Sequence, residues 1–176
     1  MASRKCLLVV DVQNAMFKLD PPLFNGAAIL ENIKVLVKKA RSQNGRVVYV
    51  QHCGHADSPF KKGTAGWKIH PSIAPAVKEH VVEKKHSDPF QESDLSDILM
   101  NSWVDHIVVC GFVTEGCIDS TVRRAYSLGF KIELASDCHS TTDGKVLTAE
   151  QTINHHNEIL KIFSDVKESK DINFNE

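Results

Sequence analysis

The fold of this chain is decided by residues 105–129, which read DHIVVCGFVTEGCIDSTVRRAYSLG. The continuous apolar run 107–110 predicts a strand buried on both faces, and Gly111 is expected to stop that strand. Beyond it, apolar or small residues recur with a helical period that closes at Gly129. They are Ile118, Val122, Ala125 and Leu128. Cys117 is therefore expected in the first turn of a helix, just beyond the carboxyl end of a central strand.

A cysteine in that position is suited to nucleophilic catalysis. The free N–H groups and the positive end of the helix dipole favour a thiolate over a thiol. The same N–H groups can face an oxyanion, and Gly111 and Gly116 let the backbone approach a ligand closely. The alternative is that Cys117 is a small buried hydrophobic residue, as most free cysteines are.

The composition predicts an ordinary globular protein with one domain over residues 1–176 and a polar tail at 166–176, either loose or docked on a partner subunit. The chain has 176 residues, of which 42% are hydrophobic and 24% charged, with a formal net charge of -1. This balance gives no electrostatic reason to bind nucleic acid, and the apolar runs are too short to cross a membrane. The cysteines form no CxxC pair, which favours a reducing, cytoplasmic location.

Strand and helix patterns alternate along the chain, which predicts parallel βαβ units. The predicted strands are 5–10, 46–51, 80–83, 107–110, 131–135 and 162–166. The predicted helices cover 27–44, a segment around 95–99, the segment after Cys117, and a segment from 147 or 148 to about 160. These elements predict a three-layer α/β/α sandwich around a mostly parallel sheet of about six strands. Residues 52–75 break the rhythm, and such a long loop is usually functional.

Asp11, Lys84 and Cys117 each stand at the carboxyl end of a predicted strand, where parallel sheets bind their ligands. An ammonium near Cys117 lowers the pKa of its thiol. A carboxylate can take the thiol proton and pass it to a leaving amine. Taken singly, the Asp could be a helix cap and the Lys a solvent-exposed charge. No Gly-rich phosphate loop follows the first strand, which disfavours nucleotide binding, and no cofactor is predicted.

Three motifs resemble the isochorismatase-like cysteine hydrolase superfamily, which includes nicotinamidases, N-carbamoylsarcosine amidase and isochorismatase. Residues 8–14, LVVDVQN, resemble the opening strand of that family, with Asp11 in the place of its catalytic aspartate. Lys84 lies six residues before Phe90, which is the spacing of the family's catalytic lysine. Residues 109–117, VCGFVTEGC, resemble its nucleophile motif, with Cys117 as nucleophile.

Two further positions bear on this resemblance, which covers roughly residues 5–163. Lys84 is followed by Lys85, and only one of them can point inward because a strand alternates its faces; the offset to Phe90 favours Lys84. Asp137 and His139 fall where the family carries an Asp-Ala turn after the fifth strand.

The resemblance implies both a fold and a reaction. The fold is a sheet of strand order 3-2-1-4-5-6 with a cis peptide between Phe112 and Val113. That peptide would aim the N–H groups of Val113 and Cys117 at an oxyanion. The reaction is cleavage of a C–N amide bond in a small molecule through a thioester on Cys117, with Lys84 stabilising the thiolate and Asp11 acting as base. The resemblance also implies a homo-oligomer.

The chain departs from the nicotinamidases at the place where they hold a metal. Those enzymes carry an Asp-x-His pair after the second strand, whereas residues 51–57 read QHCGHAD here. The departure argues against nicotinamide and pyrazinamide as substrates. The side chains that could still gather a metal match no standard zinc spacing, so no metal is predicted. They are His52, Cys53, His55, Asp57 and His70.

The candidate substrate-binding residues are Gln13, Phe17, Trp67 and Phe112. Together with Phe60 they predict a partly aromatic, uncharged pocket, although Trp67 could equally pack the long loop onto the core.

Three other functions remain open at this stage: C–O bond hydrolysis like that of isochorismatase, a non-catalytic oligomeric binding or regulatory protein, and a redox-sensing thiol protein. Cys117 argues against the first and the complete Asp11, Lys84 and Cys117 set against the second. Which amide is cut and the role of His139 stay open. Of His155 and His156, one is expected to be half-buried and one solvated.

Overall fold

One sheet of six parallel strands organises the computed structural model of this chain, which describes residues 4–175. The strands are β1 (Lys5–Val10), β2 (Arg46–His52), β3 (His80–Lys84), β4 (His106–Phe112), β5 (Lys131–Ser140) and β6 (Asp165–Lys167). They lie in the order β3-β2-β1-β4-β5-β6, and each neighbouring pair is parallel. This arrangement confirms the predicted α/β fold and its strand order.

Helices cover both faces of the sheet. They are α1 (Gly26–Ser42), α2 (Leu95–Asn101), α3 (Asp119–Ser127) and α4 (Ala149–Ile159). Because a strand alternates its faces, Leu7 and Val9 of β1 share a core with α1, whereas Leu8 and Val10 share a core with α2 and α3. Within residues 4–175, no helix has the length and apolar character that a membrane crossing requires.

The prediction that Gly111 stops the fourth strand is wrong. Gly111 lies inside β4 at a bulge, where the pairing with β5 shifts between Val109 and Gly111. Its φ is +125°, and a Cβ there would overlap the carbonyl oxygen of Val10 on β1. Glycine is therefore required for close strand approach rather than for strand termination. After the bulge β5 continues to Ser140, five residues beyond the predicted end.

Over the described residues, the polar tail is anchored on the core of its own chain rather than loose. Ile172 and Phe174 are fully buried in the core that contains α1. The N–H of Phe174 also donates to Oε1 of Gln43 at 2.7 Å. Composition hid this because only two apolar residues anchor an otherwise polar segment. Glu176 lies outside the described residues.

The expected start of the sixth strand was also wrong. The sixth strand begins at Asp165 rather than at 162, since residues up to Ile162 form a short 3₁₀ turn that extends α4. Of the apolar residues in the predicted helical period, Val122 and Ala125 are buried, whereas Leu128 follows the last residue of α3 and is 42% exposed.

Candidate active site

Three strand ends bring Asp11, Lys84 and Cys117 together. Asp11 directly follows β1, Lys84 is the last residue of β3, and Cys117 lies in the π-helical turn Thr114–Ile118 that follows β4. Nζ of Lys84 is 2.7 Å from Oδ2 of Asp11 and 3.1 Å from Sγ of Cys117. The side chains that the sequence placed at one sheet edge are thus in direct contact, with the ammonium between carboxylate and thiol.

Lys84 reaches Asp11 although β3 and β1 are not neighbouring strands. Since β2 separates β3 from β1, the two chains lie roughly 10 Å apart, which only a long side chain can cross. Lys84 is 2% exposed whereas Lys85 is exposed, as expected for alternating faces. The carbonyl of His86 accepts a third contact from Nζ at 3.1 Å. All three ammonium hydrogens therefore have partners, and the charge is held in place.

The Asp11 carboxylate is buried and incompletely paired. The residue has φ 53° in the left-handed region, and its N–H donates to the carbonyl of Val50 at 2.9 Å. Its side chain is 1% exposed, and Oδ1 has no hydrogen-bond partner among residues 4–175. A buried acceptor without a partner costs free energy. The Asp11 carboxylate is therefore available to accept a proton from a neighbouring group.

The surroundings of Cys117 favour the neutral thiol, whereas the sequence favours a thiolate. Burial raises the pKa of Cys117 to about 12; the Asp11 carboxylate adds to this effect, and the Lys84 ammonium opposes it. Burial by itself would lower the pKa of Lys84, but Asp11 and Cys117 together raise it above its ordinary value. The ammonium is thus already paired with a carboxylate, so its positive charge does not prevail at the sulfur.

The turn that carries Cys117 begins with a cis peptide between Phe112 and Val113. Behind it, Oγ1 of the buried Thr114 lies 2.9 Å from Nδ1 of His139, whose Nε2 lies 3.0 Å from Oδ1 of Asn157 on α4. Burial lowers the pKa of His139 to about 4, so the ring is neutral. Because an amide oxygen only accepts, Nε2 carries the proton and Nδ1 accepts from Thr114. Sequence reasoning missed Thr114 and Asn157, since a threonine in a turn and an asparagine in a helix carry no signal.

A cleft of about 970 Å³ opens beside Lys84. None of the eleven residues that line it is a Phe, Tyr, Trp or aliphatic residue. The lining includes His52, Cys53, His55, Lys84, Lys85 and His86. The expected aromatic, uncharged pocket is therefore not present here. Instead this cleft is polar and carries both signs of charge, with Lys62 paired to Glu83 at its wall.

The aromatic candidates lie elsewhere. Phe112 is fully buried, and Phe17 packs edge-on against it with ring centroids 5.6 Å apart. Nε1 of the half-buried Trp67 donates to Sγ of Cys53 at 3.3 Å. The loop that contains Trp67 has only a short 3₁₀ turn at Pro71–Ile73. Contact between these rings and a substrate stays a prediction.

Gln13 ties the long loop to the first strand. Its Nε2 donates to the carbonyls of His52 at 3.0 Å and Trp67 at 2.7 Å, and its Oε1 accepts the N–H of His52 at 2.9 Å. Both amide hydrogens are thus used inside the protein. A role of Gln13 in substrate binding stays a prediction, and its observed contacts position the cleft wall.

The side chains considered for a metal do not gather. Among the described residues, no group of three or more His, Cys, Asp or Glu side chains could hold a metal ion. His55 accepts the N–H of Asp57 through Nδ1, and His70 contacts Ser72 and Phe17. In α4, His155 is exposed and His156 is half-buried, as expected.

An Asp, a Lys and a Cys meet at the carboxyl edge of a parallel α/β sheet, an arrangement suited to a cysteine hydrolase. This chain belongs to the isochorismatase family, whose isochorismatase domain model matches residues 5–164.

Similar proteins come from bacteria and fungi. The chain is 34% identical over 139 residues to a streptothricin hydrolase of Streptomyces noursei, which covers 79% of this chain and 50% of that protein. It is 34% identical over 151 residues to the isochorismatase family protein YddQ of Bacillus subtilis, covering 82% and 84%. It is 30% identical over 169 residues to the secreted isochorismatase effector Isc1 of Verticillium dahliae, covering 95% and 89%. The chain spans about half the length of the streptothricin hydrolases that it matches.

Solved structures share the fold. An isochorismatase-family hydrolase of Oleispira antarctica has a TM-score of 0.89 and 31% identity, with 94% of each chain covered. N-carbamoylsarcosine amidase of Thermoplasma acidophilum has a TM-score of 0.80 at 21% identity, with 98% of this chain and 99% of that chain covered. The second likeness concerns the fold alone.

Proposed function

We propose that this chain hydrolyses a C–N amide bond of a polar small molecule, with Cys117 as nucleophile, Asp11 as general base and Lys84 as the fixed cation between them. The observation that supports this most directly is the position of the Lys84 ammonium, 2.7 Å from Asp11 and 3.1 Å from Cys117. A nucleophile, a base and an orienting charge within contact distance form a catalytic set.

The first half-reaction starts from the neutral thiol. Asp11 takes the thiol proton as Sγ of Cys117 attacks the amide carbon, so that no free thiolate needs to accumulate. Lys84 stabilises the negative charge that develops on sulfur. The N–H groups of Val113 and Cys117 are the proposed donors to the oxyanion. Collapse of the tetrahedral intermediate breaks the C–N bond, and protonated Asp11 gives its proton to the leaving nitrogen.

The second half-reaction returns the site to its resting state. The carboxylate of Asp11 takes a proton from water as the oxygen attacks the thioester carbon. The second tetrahedral intermediate then releases the carboxylic acid product, and the proton returns to sulfur. The buried Oδ1, which has no partner among residues 4–175, supports this double use of Asp11 as acceptor and donor.

The cleft supports a polar substrate rather than an aromatic one. Its volume of about 970 Å³ is at the upper end of the range of about 300–1,000 Å³ that is typical of small-molecule sites. Imidazole, ammonium and carboxylate groups line it, so a substrate with several hydrogen-bonding groups fits it better than a hydrocarbon ring.

An amide panel with ammonia or amine release as the readout tests this function. The panel contains streptothricin, nicotinamide, and primary amides of graded size and polarity, since hydrolases of the first two are among the similar proteins. We expect turnover that Cys117→Ala abolishes, and a wild-type acyl-enzyme adduct on the Cys117 peptide in mass spectrometry. Cys53→Ala is the matched control, because Sγ of Cys53 accepts from Trp67 whereas Sγ of Cys117 contacts Lys84. Equal turnover by the Cys117→Ala variant would refute the proposed function.

A further inference from the structure

His52 stands beside the catalytic lysine without a role in the chemistry described so far. It is the last residue of β2 and the register partner of Lys84 on β3. Partners in a parallel ladder project from the same face of the sheet, so the two side chains leave it side by side. Both residues line the polar cleft.

Gln13 fixes the backbone of His52, and Phe60 packs against its ring. Gln13 accepts its N–H at 2.9 Å and donates to its carbonyl at 3.0 Å, so one side chain holds both polar groups of the residue. Phe60 packs edge-on against the imidazole, with ring centroids 6.0 Å apart. An imidazole held in this way presents its nitrogens in a fixed direction, which a binding group requires.

No hydrogen bond within residues 4–175 satisfies the buried Nδ1 of His52. In that part of the chain, the buried side-chain polar atoms without a hydrogen-bond partner belong to His52 and Asp11 alone. Both residues adjoin Lys84, so the polar groups that the fold leaves unsatisfied coincide with the proposed reaction centre. Buried polar atoms are nearly always paired, and exceptions call for an explanation.

The imidazole is neutral, which sets the kind of partner it can take. Burial lowers the pKa of His52, and the Lys84 ammonium lowers it further. A neutral ring offers one N–H donor and one acceptor. It therefore complements a group that both donates and accepts, such as a second amide, a urea or a hydroxyl.

We propose that His52 binds the substrate directly and selects amides that carry a second hydrogen-bonding group next to the scissile C–N bond. This inference rests on the proposed amide hydrolysis and names the substrate class for that same site. His52 is a specificity-determining residue here: it touches the substrate, whereas Asp11, Lys84 and Cys117 perform the bond changes.

Two variants of His52 separate hydrogen bonding from shape. His52→Phe keeps a ring against Phe60 and removes both nitrogens, and His52→Asn keeps a donor and an acceptor near the position of Nδ1. For amides with the second polar group, we expect His52→Phe to lower kcat/KM about 100-fold and His52→Asn to recover at least ten-fold of that loss. Amides without that group should lose less than three-fold. His155→Phe is the control, since His155 is exposed on α4 and is not among the residues that line the cleft, and it should stay within three-fold of wild type.

Alkylation of Cys117 by iodoacetamide, followed by peptide mass spectrometry, reports whether the catalytic set itself is intact. We expect the rate in His52→Phe to stay within two-fold of wild type. If alkylation slows as much as turnover, His52 acts through the triad and the inference is overturned. It is also overturned if Cys117→Ala is inactive while His52→Phe hydrolyses every amide at the wild-type rate. If Cys117→Ala keeps its turnover, the proposed function fails first and this inference fails with it.

Discussion

Two lysine–carboxylate pairs are buried at opposite edges of the sheet, and they differ in how completely they are satisfied. At the amino edge, Nζ of Lys5 lies 3.3 Å from Oε1 of Glu133 and 2.7 Å from the carbonyl of Asn173. Lys167 contacts the same carboxylate oxygen at 3.1 Å, and His106 lies 3.5 Å from it. At the carboxyl edge, Lys84 is similarly buried, but Oδ1 of its partner Asp11 lacks a hydrogen bond within residues 4–175.

The difference separates a structural cluster from the proposed catalytic one. A buried ion pair whose two carboxylate oxygens both have partners holds elements together, and here it ties β1 and β5 to the C-terminal segment. In the Asp11–Lys84 pair, Oδ1 of Asp11 has no hydrogen bond within residues 4–175. This costs stability, but it leaves a group beside the thiol of Cys117 that can accept a proton. Incomplete pairing in an otherwise well-satisfied core is what distinguishes the proposed active site.

The largest expected effect on turnover comes from changing either partner of the Asp11–Lys84 pair. Asp11→Asn should reduce amide turnover by about 10³-fold, since the proton acceptor is lost. The same change should accelerate alkylation of Cys117 at pH 7, because the Asp11 charge raises the pKa of that thiol. Lys84→Met should abolish turnover as well but slow alkylation, because the ammonium lowers that pKa.

The readout is the iodoacetamide rate of the Cys117 peptide between pH 6 and pH 10, with Cys53 in the same digest as internal control. A wild-type pKa of about 12 predicts a rate that keeps rising through this range. If both variants shift the rate in the same direction, the opposing charges of Asp11 and Lys84 do not control the thiol.

At the amino edge, the expected effect is smaller and is on stability rather than on turnover. Lys5→Met should lower the free energy of unfolding by about 3 kcal/mol, because removing one partner of a buried ion pair leaves a charge uncompensated. Lys167 remains beside Glu133 and keeps the loss at the low end of the usual range. Urea unfolding measures the change, and kcat/KM of the folded variant should stay within two-fold of wild type.

The double variant Lys5→Met with Glu133→Gln is the control, because it also removes the charge of Glu133 that loses its partner Lys5. It should regain part of the lost stability. Loss of turnover in folded Lys5→Met, with unchanged stability, would contradict the assignment of a structural role to this pair.

The fold and the set of polar strand ends could be predicted from the sequence because both depend on local patterns. Continuous apolar runs mark buried strands, and parallel strands align their carboxyl ends, so Asp11, Lys84 and Cys117 had to lie near one another. The catalytic roles of these residues remain proposals. What their pattern could not show is the balance at the sulfur, because burial and the Asp11 charge outweigh Lys84 only in the folded arrangement.

Other features escaped prediction because they depend on distant contacts or side-chain directions. The bulge at Gly111 follows from close approach to Val10, which lies about a hundred residues earlier in the chain. The anchoring of Phe174 rests on α1, and a polar tail gives no hint of it. Trp67 could wall a pocket or pack the loop; in the structure its Nε1 donates to Sγ of Cys53, and Trp67 is not among the residues that line the cleft.

The smallest expected effect concerns His139, the buried neutral base behind the turn that carries Cys117. Its pKa of about 4 in the folded state is below the ordinary value of about 6.5, with burial as the main cause. Between these two values the unfolded chain binds a proton that the folded chain does not. Stability is therefore fully present above pH 6.5 and falls as the pH drops toward 4, by at most about 1.4 kcal/mol per pH unit for this one group.

Urea unfolding at pH 6.5, 5.5 and 4.5 measures this slope. His139→Gln should reduce this slope by up to about 1.4 kcal/mol per pH unit, which corresponds to one proton. His155→Gln, which changes an exposed histidine of the same region, should leave the slope unchanged. His156 and Asp137 also act on the pKa of His139, in opposite directions, and both are retained in these variants. Equal slopes in wild type and His139→Gln would show that this ring titrates normally. A reduced slope would show that the carboxyl edge, unlike the Lys5–Glu133 cluster, keeps a buried neutral base, and this base contacts Thr114 in the turn that carries Cys117.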